Sequence, residues 1–145
     1  MEAFTIQEAA RHSGLSEPTL RYYEEVGLIG PIERDERAGH RRYGSDDLAA
    51  LDMLACLRAV GMGIEDMRTY QANRIRGRVA AGEQRDLLLR HAERIEAEIR
   101  AQHARIGYLR AKAAMWDARD RGDDVAEAEA IRQLPGAVEG LAVAR

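Results

Sequence analysis

Apolar and polar positions near the start of the chain follow two short helical periods separated by a turn. Ile6, Ala9 and Ala10 share one helical face and predict a short helix that stops before Gly14. A serine suited to N-capping, followed by a proline in the first turn, begins a second helix over about residues 17–26. Two short helices around a tight turn have the proportions of a helix-turn-helix motif.

The pattern then changes twice before the middle of the chain. Residues 28–43 are interrupted by glycine, proline and charged residues, which predicts a small hairpin, or wing, instead of a helix. Residues 48–60 are apolar on nearly every side, and this is typical of a buried helix. Glycines at 61 and 63 end that helix, and a further helix covers about residues 64–75.

Between residues 82 and 117, apolar or small residues recur in steps that alternate between four and three. This heptad pattern predicts a helix with a left-handed coiled-coil seam, roughly 50 Å long. A parallel or antiparallel dimer explains the seam better than packing on the chain's own domain, which is the alternative. For Trp116, a seam position is favoured over a place in a ligand pocket. The large seam residues, predicted to mediate dimerisation, are Leu88, Ile95, Ile99, Ile106, Leu109 and Trp116.

The end of the chain has a weaker pattern. Residues 125–134 predict a short amphipathic helix, which Pro135 and Gly136 end, followed by a loose tail. We therefore expect a mainly α fold in three parts. These are a winged helix-turn-helix domain with a helical extension over residues 1–78, a dimerisation coiled-coil helix over 79–118, and a short C-terminal helix and tail over 119–145.

Composition excludes several classes of protein. The 145 residues carry a formal charge of -3 and one cysteine, Cys56, which excludes an internal disulfide and a Cys-x-x-Cys zinc site. No apolar run approaches the ~18 residues of a membrane span, and no signal peptide is recognisable, so we expect a cytoplasmic protein without a membrane partner. The four histidines show no helical i, i+4 pairing, and we expect neither a metal nor a cofactor.

Two segments carry side chains that typically contact nucleic acid. The second helix holds a Thr-Leu-Arg-Tyr-Tyr block, in which Tyr23 fits the core equally well and Arg21 also fits a solvated face. Residues 34–42 form a local basic patch that suits a wing along a phosphate backbone, although in isolation it resembles an exposed charged loop. The candidate DNA-binding residues are Thr19, Arg21, Tyr22, Tyr23, Arg34, His40, Arg41, Arg42 and Tyr43.

These segments resemble the DNA-binding domain of the MerR family of bacterial transcription regulators. The resemblance rests on residues 5–10, 19–24, 27–29 and 39–43, and the heptad helix is similar to the family's antiparallel dimerisation arm. It implies a homodimer that places its second helix in the major groove of double-stranded promoter DNA. It also implies control of RNA polymerase by bending and untwisting the promoter.

Residues 56–62 resemble the subgroup of this family that answers aldehydes and other electrophiles through a single cysteine. The resemblance implies a stress-response regulator in which the Cys56 thiolate attacks the electrophile. The residues around Cys56 on the helix favour a reactive thiolate less. Asp52 lies one helical turn away, and no cation shares that face. The alternative is a regulator with a non-covalent small-molecule effector, in which Cys56 is an inert core residue.

Two other classes explain less of the chain. For an enzyme we find no glycine-rich phosphate loop, no nucleophile elbow and no paired carboxylates with metal spacing. A coiled-coil adaptor that binds another protein explains the long helix but not the Arg-Tyr-Tyr block or the wing. We therefore expect a DNA-binding regulator that is not an enzyme.

Overall fold

The structure, a computed structural model, describes residues 2–143. In that range the chain is mainly α-helical, as the sequence predicts, and it divides into two compact units at Leu87 and Leu88. The three-part division of the chain stays a prediction. The elements are α1 (Ile6–Ser13), α2 (Glu17–Glu25), β1 (Glu33–Arg34), β2 (Arg41–Arg42), α3 (Ser45–Ala59), α4 (Ile64–Arg76), a 3₁₀ turn (Gly77–Ala80), α5 (Ala81–Asp120) and α6 (Asp124–Val143).

Capping residues set the ends of the first two helices. The Thr5 hydroxyl accepts from the Glu8 N–H at 3.1 Å, and the Glu8 carboxylate accepts from the Thr5 N–H at 3.1 Å. Gly14 ends α1 with a φ of 77°, a left-handed conformation that favours glycine. The Ser16 hydroxyl accepts from the Thr19 N–H at 3.2 Å and begins α2. The predicted pair of short helices is confirmed.

The core of the first unit forms around α3. Its inward positions are leucines three residues apart, Leu48, Leu51, Leu54 and Leu57, and all four are buried. Each buried leucine stabilises the unit by roughly 1.5–3 kcal/mol relative to its exposed state. Leu20 of α2 packs in the same cluster, so the helix-turn-helix rests directly on α3.

The predicted wing is a two-stranded antiparallel ribbon. β1 and β2 pair Glu33 with Arg42 and Arg34 with Arg41. At its tip the Asp35 carboxylate accepts from the backbone N–H groups of Ala38 and Gly39, at 2.6 and 3.2 Å. These bonds close the turn with a side chain, as aspartate commonly does. The basic residues of the wing are thereby held on a short and well-defined hairpin.

The second unit is a helical hairpin. α5 and α6 are joined through Gly122, which has a φ of 66°, and α6 returns antiparallel along α5. A Cβ atom added at Gly140 would lie 3.7 Å from the Ala104 Cβ, and Arg119 of α5 forms an ion pair with Glu127 of α6. Met115 and Ala130 are buried, as expected for residues between the two helices.

The predicted end of the last helix at Pro135 and Gly136 is wrong. α6 continues through Pro135 to Val143, whereas Ala144 and Arg145 lie outside the described residues. A proline inside a helix costs about 3 kcal/mol, because one backbone hydrogen bond is lost and the ring crowds the preceding turn. Leu134 and Leu141 are half-buried on either side of the proline, so packing along α6 compensates for that cost.

The seam residues of α5 are exposed. Their exposed fractions range from 40% for Ile95 to 65% for Leu109, and Trp116 is 59% exposed. The half-buried and buried residues of α5 near α6, among them Ala104 and Met115, belong to a different face of the helix. The seam is thus a continuous exposed apolar stripe along α5.

Candidate nucleic-acid interface

α2 presents exposed polar side chains on one face. Tyr22 is 47% exposed, and the Arg21 guanidinium lies 3.5 Å from the Glu17 carboxylate one turn before it. Such an exposed i, i+4 ion pair contributes only about 0.3–0.5 kcal/mol, so Arg21 remains available to another anion. The helix therefore presents a cation and a phenol side by side.

A groove of about 390 Å³ runs along one side of α2 and is called here the wing-side groove. The first residues of α1 line the same groove, where the helix dipole adds partial positive charge. Arginines outnumber acids in this lining by four to one. The lining residues are Thr5, Ile6, Gln7, Glu17, Arg21, Arg34, Gly39, His40, Arg41 and Arg42.

A second groove, of about 520 Å³, lies on the other side of α2 and is called here the α3-side groove. Its only charged lining residue is Arg58, whose guanidinium donates to the Thr19 hydroxyl at 3.1 Å. The Ser16 hydroxyl lies 2.8 Å from the same Thr19 hydroxyl. A guanidinium and two hydroxyls thus converge beside the N-terminus of α2, a combination that suits a phosphate.

Arg58, which lines the α3-side groove, is not among the DNA-binding residues that the sequence predicts. It follows Cys56 and Leu57 near the end of α3, where an arginine is also a common last-turn residue. Its bond to Thr19 joins positions 39 residues apart in the chain. Only the tertiary structure, which brings the end of α3 beside the start of α2, reveals that contact.

One carboxylate connects the wing to α2. Glu24 accepts from the Arg41 Nε–H at 2.6 Å and from the Ile32 backbone N–H at 3.0 Å. Burial alone raises the Glu24 pKa, but the hydrogen bonds from Arg41 and Ile32 outweigh it and hold the pKa below the usual glutamate range. Arg41, predicted as a DNA contact, is thus half-buried and already paired.

The predicted DNA-binding residues divide by exposure. Arg21, Tyr22, Arg34 and His40 are exposed, and Thr19, Arg41 and Arg42 are half-buried. Tyr23 and Tyr43 are buried, with 3% and 0% of their surface exposed. The prediction that these two tyrosines contact DNA is therefore wrong, because both side chains belong to the hydrophobic core.

Cys56 is exposed on α3. The alternative that makes it a core residue is therefore wrong for the single chain. Asp52, one helical turn earlier, accepts a hydrogen bond from Nε2 of the His12 ring at 2.9 Å. The Asp52 carboxylate, the unfavourable group near the thiol, is therefore engaged by a side chain of α1.

The two short helices, the wing and the basic grooves define a winged helix-turn-helix protein. A sequence profile described as "MerR HTH family regulatory protein" matches residues 4–73. The crystal structure of a protein described as a MerR family transcriptional regulator from Listeria monocytogenes is 30% identical. It superposes with a TM-score of 0.62 and covers 84% of this chain and 96% of that one. The chain belongs to the MerR family of transcription regulators.

Two further relatives are informative. The structure of HiNmlR, a MerR family regulator lacking the sensor domain, bound to promoter DNA, is 28% identical, with a TM-score of 0.61. It covers 86% of this chain and 95% of that one. The HTH-type transcriptional regulator AdhR of Bacillus subtilis (strain 168) is 40% identical over 65 residues, 45% of this chain. That match spans about half of AdhR, 46% of its length.

None of the helices between residues 2 and 143 is long and apolar enough to cross a lipid bilayer. In the same range, no three His, Cys, Asp or Glu side chains converge in a way that could hold a metal ion.

Replacing Glu24 by Gln tests the connection between wing and α2. We expect the free energy of unfolding to fall by about 1–3 kcal/mol, because a charged hydrogen bond to Arg41 is lost. Since the folded pKa of Glu24 lies below its unfolded value, this contribution is fully present above the unfolded pKa. It disappears as the pH falls through the folded pKa.

Urea titrations of both proteins from neutral to acidic pH measure the difference. Glu25→Gln, at an exposed neighbouring position, is the control, and equal losses in the two variants would contradict the role of Glu24.

Replacing Tyr43 by Phe tests whether Tyr43 is a core residue and not a DNA contact. Its hydroxyl is buried without a hydrogen-bond partner among the described residues, and burial raises its pKa. Removing an unpaired buried hydroxyl should raise the free energy of unfolding by about 1 kcal/mol. Thermal unfolding measures this change, and DNA affinity should stay as in the parent protein. A marked loss of DNA affinity in a stably folded Tyr43→Phe protein would restore Tyr43 to the interface.

Proposed function

We propose that this protein is a transcription regulator that binds double-stranded promoter DNA as a homodimer and changes the shape of the promoter in response to a chemical signal. The observation that carries the proposal is the pair of basic grooves on either side of α2. The DNA-bound HiNmlR structure supports it, since the two chains share the same fold over most of their length. The proposed role is regulatory and not enzymatic.

The geometry of B-DNA explains why two grooves are needed. A helix fits the major groove, which is about 12 Å wide and has a phosphate backbone along each edge. With α2 in the groove, Arg21 and Tyr22 face the base edges. The wing-side groove then takes one backbone through residues such as Arg34 and Arg42, and the α3-side groove takes the other through Arg58.

The homodimer follows from the exposed seam of α5. A stripe of large apolar side chains along one face of a long helix needs a partner helix, and a second copy supplies the same stripe. Two copies of α2 at a separation set by the arm would read two half-sites of a near-palindromic operator. RNA polymerase would then respond to the bend or twist of the DNA between them.

DNA binding is tested by replacing Arg58 with Ala. We expect weaker binding by a similar factor on specific and random DNA. We also expect the dependence of log K on log salt to flatten by about 1 for each copy of the side chain, since one phosphate contact per copy is lost. Fluorescence anisotropy with DNA from upstream of the protein's own gene, at several salt concentrations, measures both quantities.

The matched control for this experiment is Arg74→Ala. Arg74 is exposed on α4 outside the two grooves, so its removal changes the net charge equally without removing a proposed phosphate contact. Its salt dependence should match that of the parent protein. Identical slopes for Arg58→Ala and the parent protein would remove the α3-side groove from the interface.

For the signal, we propose an aldehyde or a related electrophile that reacts with Cys56. The exposure of the thiol supports this, as does the resemblance of residues 56–62 to the subgroup that answers electrophiles. In the reaction the Cys56 thiolate forms a bond to the carbonyl carbon. The carbonyl oxygen takes a proton from water, and the product is a hemithioacetal. The alternative signal is a non-covalent small molecule.

Replacing Cys56 by Ser separates these signals. We expect promoter DNA binding without aldehyde to stay unchanged, and the transcriptional response to formaldehyde or methylglyoxal to be lost, because the serine hydroxyl is a far weaker nucleophile. In vitro transcription measures the response, and mass spectrometry of the parent protein shows whether Cys56 carries the adduct. An undiminished response in Cys56→Ser would exclude the thiol as the sensor and favour the non-covalent effector.

A further inference from the structure

Among the described residues, Glu17 is the one acid that lines the wing-side groove. It lies in the first turn of α2, directly after the N-capping Ser16. Its Oε1 atom is 3.5 Å from Nη2 of Arg21, which is the ion pair found for Glu17 within residues 2–143. A carboxylate repels phosphate, so contacts to the DNA backbone alone do not explain the composition of this groove.

Glu17 and Arg21 lie on the same side of α2. They are four residues apart, which is about one turn of the helix and about 6 Å along its axis. Their side chains are 35% and 49% exposed, whereas Leu20 and Tyr23 of the same helix are buried. In helix-turn-helix proteins, the N-terminal residues of the recognition helix contact base edges. In the proposed complex with DNA, this ion pair therefore faces the bases.

A guanidinium beside a carboxylate is complementary to a G·C base pair in the major groove. Guanine presents two acceptors, O6 and N7, and the cytosine paired with it presents the N4 amino group as a donor. The guanidinium donates to both guanine acceptors, and the carboxylate accepts from the cytosine amino group. Other bases in the place of guanine fit less well. Adenine and cytosine set an amino donor against the guanidinium, and thymine offers one acceptor instead of two.

We propose that Glu17 is a specificity-determining residue, which recognises the cytosine of a G·C base pair whose guanine is bound by Arg21. One such base pair occurs in each half-site of the operator. The proposal rests on the DNA binding of the proposed function and goes beyond it by naming a base pair and the residue that accepts from it. A base without an amino group in the place of this cytosine leaves the carboxylate without a donor, which disfavours binding to that sequence.

Glu17 also suits the first turn of α2 for a purely structural reason. A carboxylate near the N-terminus of a helix is stabilised by the helix dipole. That contribution is the same for every DNA sequence, and it does not change the preference at a single base pair. Base preference therefore distinguishes recognition of cytosine from stabilisation of the helix.

A modified base isolates the contact between Glu17 and cytosine. Selection from a random DNA library with the full-length protein defines the half-site, and the same selection with Arg21→Ala identifies the G·C pair whose preference is lost. N4-methylcytosine at that pair in one half-site still pairs with guanine, but its methyl group replaces the amino hydrogen that faces the major groove. We expect the parent protein to bind this duplex about tenfold more weakly than the unmodified one. Fluorescence anisotropy measures both affinities.

Three variants complete the experiment. Glu17→Ala should bind the two duplexes with affinities within about twofold of each other, because the acceptor is absent. Glu17→Gln should stay sensitive to the methyl group, since its amide oxygen accepts in the same place without the charge. Glu25→Ala removes an exposed acid about two turns further along α2 and should be as sensitive as the parent protein.

The outcomes separate this proposal from DNA binding itself. Equal losses of affinity for the parent protein and Glu17→Ala would show that Glu17 does not contact the cytosine, while binding through α2 would stand. The absence of any G·C pair that depends on Arg21 would overturn the proposal in the same way. If the parent protein selects no sequence above random DNA, both this proposal and the proposed function are wrong.

Discussion

The Glu24 carboxylate holds the wing in place against α2. One of its oxygens accepts from Arg41 at the second strand of the wing, and the other accepts from the Ile32 backbone just before the first strand. Both strands are thus tied to the same turn of α2. The wing has only two residues in each strand and could not hold this position through its own ladder.

The second constraint is the unpaired apolar face of α5. A 40-residue helix with polar residues on most of its surface gains little stability from its own backbone, and α6 covers only part of it. The exposed seam leaves the remaining hydrophobic contribution to a partner. In the proposed homodimer, folding of this unit and its assembly are therefore linked, and the stability of the unit depends on protein concentration.

Local patterns explain most of what the sequence predicts correctly. Ser16 and Gly14 act within one helical turn, and the seam of α5 repeats over many turns, so neither depends on distant parts of the chain. The features that the sequence does not predict depend on tertiary contacts. Helix α6 passes through Pro135 because α5 packs along it, and Arg58 reaches Thr19 only because the tertiary fold brings the end of α3 beside the start of α2.

The adjacent residues Tyr22 and Tyr23 show the same limit on a smaller scale. The two side chains are chemically identical, yet one is 47% exposed and the other 3%. Composition and motif cannot distinguish them, because the direction of each ring depends on how α2 is rotated on the core. A shift of one residue along a helix turns a side chain by 100°, which is enough to move it from solvent into the core.

The basic grooves lie on a protein whose formal charge is -3. The affinity for random DNA grows with the number of phosphates that a protein neutralises. Acidic residues outside the grooves repel the DNA backbone when the protein approaches in any other orientation. Such a protein approaches DNA in few orientations and leaves non-specific sites quickly. In the proposed regulator, the uneven placement of charges therefore shortens the time spent on DNA outside the operator.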